Sequence, residues 1–280
     1  MAKLRPTVTF EMVAPILAKM EPKEGDTIAV WFSCGAASAV ALKKTQEKYG
    51  NLCKIRAINN PVMEEHPDNR RFLKDVQSWV GIEIEEAKNP DWPNASAREV
   101  WEKRKFMSGK EGAPCTSLLK REARHIWETL NKAEWLVMGF TDEETKGRYW
   151  PFIFFERGNA LPILQDARIS KSECFQIIDT AGIRLPEIYN MGYPNANCIG
   201  CVKASTPTYW NHVRKVHPEV FKDRAEQSRR LSAGNTGYGN KLVRYKGKRI
   251  FLDELPEDAK GRSMKTMQTE CGIFCPTFKE

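Results

Sequence analysis

At 280 residues the chain exceeds the usual single-domain length, and its 41% hydrophobic and 29% charged residues are the balance of a globular protein, which excludes a disordered or fibrous chain. No apolar run approaches the roughly 20 residues that span a membrane, and the N-terminus carries no signal-peptide apolar stretch, so a cytoplasmic protein with no membrane partner is expected. The formal net charge of +8 is interspersed with acidic residues, which suits an anionic small ligand better than a polyanion; nucleic acid is the less favoured partner.

In chain order, Thr27–Phe32 (TIAVWF) reads as a buried parallel strand and 37–49 as a helix. Lys54–Asn59 (KIRAIN) repeats the strand signal, Asn69–Val80 reads as a helix, and the alternating segment 82–87 as a strand nearer the sheet edge. Helical stretches follow at 96–107 and 116–130; in the second, Leu118, Leu119, Ala123, Ile126, Trp127 and Leu130 recur at helical spacing. The segment 134–140 (EWLVMGF) is the last strand. Strand and helix alternate, so the expected class is α/β, a doubly wound, mainly parallel, Rossmann-like sheet. Beyond it, 170–181 reads as a helix capped by serine and ended by Gly182, 209–231 as one charged amphipathic helix, and 232–248, rich in Gly, Asn, Lys and Arg, as an exposed loop. The expected division is a nucleotide-binding domain over 1–160 and a mainly helical, cysteine-bearing region over 161–280 packed on it.

Phe32-Ser33-Cys34-Gly35-Ala36-Ala37-Ser38 runs from strand to helix through small residues. Small side chains let backbone N–H groups reach a phosphate, the helix start adds unsatisfied donors, and Ser33 and Ser38 add hydroxyls. Without a ligand the same residues make a tight turn. A Walker loop is excluded, since no Gly-Lys-Ser/Thr follows. Thr141, Glu144 and Arg148 follow the last strand, where ligands of open α/β sheets bind. Arg148 offers a planar fork to phosphate or sulfate oxygens, or to a salt bridge with Glu144.

Eight cysteines in such a chain point to metal or redox chemistry instead of a disulfide framework. Cys53 and Cys174 read as buried packing residues. Cys198 and Cys201 form a Cys-x-x-Cys pair whose thiolates can converge on one metal or cluster, or form a redox disulfide. Cys115 opens a helix, which favours its thiolate. Cys271 and Cys275 sit in a terminal segment where a thiol can move between a site and a reductant, or ligate metal. His66 follows the second strand and is expected near the nucleotide; His125, His212 and His217 read as surface or core residues, and Tyr209, Trp210 and Phe221 as packing.

Together these segments resemble the phosphoadenosine-phosphosulfate reductase family of PP-loop proteins, and among them phage-encoded members. Ser33 to Ser38 is similar to the signature Ser-Gly-Gly-x-Asp-Ser, with Ala37 in place of the aspartate of ATP-hydrolysing members. Glu65-His66-Pro67-Asp68-Asn69 with Arg71-Phe72-Leu73, Met138-Gly139-Phe140-Thr141 with Glu144 and Arg148, Asn195-Ala196-Asn197-Cys198-Ile199-Gly200-Cys201, and Glu270-Cys271-Gly272-Ile273 carry the rest, so the resemblance covers residues 27–275. It implies an adenine-nucleotide site of Ser33, Cys34, Gly35, Ala36, Ala37, Ser38, Asn59, Gly139, Thr141, Glu144, Arg148 and Lys120. It implies an iron–sulfur cluster, of the four-iron, four-sulfur kind, on Cys115, Cys198 and Cys201, with Cys275 as fourth ligand ahead of Cys271 and zinc as the alternative metal. The family's second cysteine beside Cys115 is missing, for Pro114 and Thr116 flank it. The implied reaction is an oxidoreductase one: Cys271 is the nucleophile that turns an adenylylated sulfate into sulfite, with a thioredoxin-like reductant. The alternative is an ATP-dependent sulfur-transfer or nucleic-acid-modifying enzyme on the same loop and cluster; a third reading, a binding module without catalysis, draws on Ala37. A phage-encoded protein would act in the host cytoplasm, and a homo-oligomer is compatible with all three readings.

Overall fold

A computed structural model describes residues 7–110, 112–234 and 237–264. In chain order the elements are α1 (Phe10–Leu17), β1 (Thr27–Phe32), α2 (Ala36–Tyr49), β2 (Lys54–Asn59), α3 (Asn69–Val80), β3 (Ile84–Glu86), α4 (Ala97–Arg104), α5 (Ala123–Leu130) and β4 (Trp135–Met138). There follow α6 (Trp150–Phe155), α7 (Ile163–Asp166), α8 (Lys171–Thr180), α9 (Glu187–Asn190), α10 (Pro207–Val216), α11 (Pro218–Leu231), β5 (Val243–Tyr245) and β6 (Lys248–Ile250). They form two compact units that are not successive halves of the chain. Of the described residues, the first takes those up to 60, 68–87 and 128–186; the second takes 61–67, 88–127 and those from 187 to 264.

The first unit is an α/β fold on a parallel sheet of order β3-β2-β1-β4. β1 is central because it is apolar on both faces, and it is buried from Ile28 to Phe32. It pairs with β2 from Thr27↔Lys54 to Phe32↔Asn59 and with β4 from Ile28↔Trp135 to Trp31↔Met138. β3 lies at the edge, as its alternation predicts, and pairs only from Ala57↔Ile84 to Asn59↔Glu86. α2 packs against α3, α7 and α8 over a core that includes Val30, Phe32, Leu42, Phe72, Val76, Val137, Leu164 and Ile178. The start of α8 is closed reciprocally: Ser170 N–H donates to Glu173 Oε2 at 2.7 Å, and Glu173 N–H to Ser170 Oγ at 3.2 Å. Gly182, at φ 70°, ends it. Cys53 and Cys174 are packing thiols, as expected; burial pushes Cys174 up to about 12, which leaves it inert at neutral pH.

The second unit is mainly helical, around Trp101, Met107, Trp210, Val213, Leu242, Val243 and Leu252. The start of α4 is held by a distant carboxylate: Glu64 Oε2 accepts from Ala97 N at 2.8 Å, and Oε1 from Arg98 N and Ser96 Oγ, both at 2.9 Å. Three expectations are corrected here. The helix over 209–231 is two helices, because Pro218 has no N–H to donate and drives His217 out of helical geometry (φ −135°, ψ 67°). The loop over 232–248 contains β5 and the turn into β6; Lys246 and Gly247 adopt φ 44° and 79°, the two positive values that a tight two-residue hairpin needs. The helix over 116–130 changes winding, π-helical over Thr116–Glu122 and α-helical from Ala123.

A cluster in this unit sets a pH dependence. Tyr193 Oη lies 3.3 Å from His217 Nδ1, the His212 ring is 4.7 Å from the Tyr193 ring, and His66 meets His217 edge-on at 6.5 Å. Burial, foremost, holds both His212 and His217 below their ordinary 6.5, with Lys215 acting on His212, and His66 and His212 on His217, in the same direction. Both imidazoles are therefore neutral when folded and gain protons more readily when unfolded. Their contribution is complete above 6.5 and is lost as the pH falls through the lowered folded values. Thermal midpoints should therefore fall from pH 7 to 5.5, and less steeply for His212→Gln; a flat wild-type profile contradicts this.

Candidate nucleotide site and cysteine pair

In the first unit, β1 hands the chain to α2 through residues 33–38. Ser33 is exposed, and Cys34 is buried with φ 56°, a left-handed conformation that costs a side-chain-bearing residue about 1–2 kcal/mol. Gly35 is the extended N-cap (φ −99°, ψ 155°) and, having no side chain, makes no cap bond of its own. The first intrahelical bond is Ala39 N–H to Gly35 O at 3.1 Å, so the N–H groups before Ala39 are not used by the helix itself. The serines brace the loop. Ser38 Oγ accepts from Ser33 N (3.1 Å) and Ser33 Oγ (3.2 Å) and donates to Gly35 O (2.9 Å). Asn59, at the end of β2, donates through Nδ2 to Phe32 O at 2.8 Å and faces Cys34 Sγ at 3.6 Å. Its Oδ1 is buried and has no hydrogen-bond partner among the described residues.

The end of β4 adjoins this loop. A Cβ on Gly139 would stand 2.7 Å from Ser38 N and 2.8 Å from Ser38 Cα, so only glycine lets the two backbones meet. Glu144 Oε2 accepts from Thr141 N (3.0 Å) and Thr141 Oγ1 (3.3 Å), and its Oε1 is paired with Arg148. Arg148 belongs to a π-helical turn, Thr145–Tyr149, is 6% exposed, and its guanidinium lies 5.2 Å from the Phe140 ring centre. Arg148 is thus buried and Glu144 half-buried, so the pair is not a surface bridge. Sheet order reverses between β1 and β4, and their carboxyl ends, carrying residues 33–38 and 139–148, flank that switch point.

The other predicted residues that the structure describes lie in the second unit. Lys120, on the π-helical turn, is paired with Glu65 at 3.1 Å, the two side chains only 11% and 9% exposed. Cys198 and Cys201 are buried and line one pocket with Tyr193, Asn195, Asn197 and Tyr209. Tyr209 Oη accepts from Cys201 N at 2.8 Å, and burial first, then Cys201, raise its phenol well above the ordinary value. Cys115 is half-buried against the same core. Among the described residues, no three His, Cys, Asp or Glu side chains stand together as a metal site; Cys198 and Cys201 are the two thiols that share one pocket. Cys271 and Cys275 lie outside the described residues. Sequence reading passed over Arg224, 3% exposed, which lies over the Trp101 ring at 4.6 Å and approaches the position of a Gly200 Cβ. Its one signal was spacing: with Phe221, Ala225 and Ser228 it falls on the buried stripe of α11.

No family model and no curated protein matches the chain. Among solved structures, the phosphoadenylyl-sulfate reductase of Candida auris in its phosphate complex aligns with a TM-score of 0.46 at 12% identity, covering 70% of this chain and 89% of that one. A likeness of that degree speaks for neither a substrate nor a reaction here.

Proposed function

We propose that the chain binds an adenine nucleotide at residues 33–38 and acts on an adenylylated sulfate as an oxidoreductase. The observation that carries the nucleotide site is the start of α2, whose N-cap glycine supplies no side chain, at the carboxyl end of β1, beside β4, where the order of the sheet reverses. Donors there suit a phosphate or sulfate, and the orphaned Asn59 Oδ1 suits a nucleoside hydroxyl or amino group. The finer reaction rests on the motif resemblance. Cys271 thiolate attacks the sulfuryl sulfur; an S–S bond forms, the S–O bond to phosphate breaks, and the nucleotide leaves with its electron pair. A second thiol, from a thioredoxin-like reductant, attacks Cys271 Sγ, expels sulfite and leaves a disulfide, so two thiols supply the two electrons. Cys198 and Cys201 are proposed as metal ligands, with Cys115 and Cys275 completing the set; no step above passes through that metal.

Gly35→Val tests the site, because valine adopts φ −99° without strain while its side chain blocks backbone approach to an anion. Calorimetric titration with phosphoadenylyl sulfate should show binding to wild type and none to Gly35→Val, with the unfolding midpoint kept. Equal affinity would make the loop a turn only. Cys271→Ser should bind the same compound yet release no sulfite; sulfite release at the wild-type rate would remove Cys271 as nucleophile. Metal analysis of Cys198→Ser on the same preparation should show loss of the ion found in wild type.

A further inference from the structure

We propose that the β5–β6 hairpin, together with Tyr238, is a binding surface for single-stranded nucleic acid. Residues 241–249 carry five cations, Lys241, Arg244, Lys246, Lys248 and Arg249, and no carboxylate. The register Val243↔Ile250, Arg244↔Arg249, Tyr245↔Lys248 sets two arginines directly opposite each other. Opposed residues of an antiparallel pair share a face, and like charges so placed destabilise the ladder. Val243 is buried beneath, while Arg244, Lys246, Lys248 and Arg249 are exposed. Among the described residues, none of these four pairs with a carboxylate; Arg249 is satisfied by a backbone oxygen, donating to Leu242 O at 2.8 Å.

Three other exposed arginines of this unit give the contrast that points to a partner. Arg98 is matched to Asp223, Arg229 to Asp253 and Glu254, and Arg230 to Glu102. Charge is neutralised there and left standing on the hairpin. An anion between Arg244 and Arg249 would remove their repulsion, which also shows in the Arg249 guanidinium being easier to deprotonate, through burial first and Arg244 second.

An aromatic face adjoins the cations. Tyr238 is 58% exposed, its ring is supported by Phe106 at 6.0 Å, and the turn that carries it is tied to the first of the cations, Lys241 N–H donating to Gly237 O at 3.2 Å. Cations that follow a phosphate backbone beside an aromatic ring that can receive a base are the elements of single-strand binding. A duplex, its bases already stacked, would use the cations and leave the tyrosine idle.

The test is fluorescence anisotropy of the full chain with a labelled single-stranded DNA oligonucleotide of mixed sequence, across a salt series. Binding should weaken with salt, and Arg244→Gln/Arg249→Gln should lower the log–log salt slope by about 1.4, as expected for two lost phosphate contacts. Tyr238→Ala should weaken binding by roughly five- to a hundredfold with the slope unchanged. Arg229→Gln makes a unit charge change at a paired arginine and should leave affinity as it is. Relief of the repulsion offsets the bond that Arg249 gives Leu242 O, so the double variant should melt close to wild type, which separates lost binding from lost folding. The proposal is overturned if no binding occurs at low salt, if Arg229→Gln weakens binding as much as either hairpin arginine, or if Tyr238→Ala binds like wild type and a duplex binds as tightly as the single strand.

Discussion

Gly139→Ala should destabilise the sheet-bearing unit by about 1–3 kcal/mol, the range for overpacking a tight contact, and Gly139→Val should cost more. The added Cβ would meet Ser38 N at 2.7 Å, Ser38 Cα at 2.8 Å and Ala37 C at 3.1 Å. All three are backbone atoms, so no side chain can swing aside; either α2 or the end of β4 must shift. The same shift would move residues 33–38, so affinity for an adenine nucleotide should fall together with the denaturant midpoint. Gly35→Val separates the two effects, losing affinity with the midpoint kept. An unchanged midpoint for Gly139→Ala would mean that the two backbones are not pressed together as described.

Lys120→Met should cost about 1.5–3 kcal/mol, the range for a lost hydrogen bond to a charged group, since it removes the ammonium that Glu65 meets at 3.1 Å in a largely buried site. The side chains of Lys120 and Glu65 are 11% and 9% exposed, too little for water to replace the lost ammonium. Lys120→Met/Glu65→Leu, which removes both charges, should recover much of that loss, and denaturant titrations of the two single variants and the double variant measure the coupling. If Lys120 serves instead as a ligand for the substrate anion, Lys120→Met keeps its midpoint and loses affinity. A shift below about 1 kcal/mol with unchanged affinity would contradict both roles.

The local sequence was sufficient wherever one short segment contained its own cause. β1, β2 and α3 have the bounds read from the sequence, because each is a complete apolar or amphipathic run between breaking residues. Ser170 and Gly182 mark the ends of α8 by capping chemistry that acts over a few residues. The split between α10 and α11 was also legible in Pro218, whose effect was outweighed in reading by the unbroken charged pattern on either side. The short hairpin strands gave too little alternation to be told from a loop, and only Lys246-Gly247 marked the turn.

What the sequence by itself determined is the class of the fold and the position of the strand-to-helix loop, since periodicity and small residues are properties of contiguous chain. Tertiary structure alone decided that Gly139 is required by the backbone of Ser38, that Ser38 closes its own loop, and that Arg148 and Lys120 are largely buried against Glu144 and Glu65. It also decided that two arginines five residues apart stand opposite each other without a carboxylate partner among the described residues. These are matters of distance and burial between segments far apart in sequence or turned back on one another, and a linear pattern of residue types carries neither.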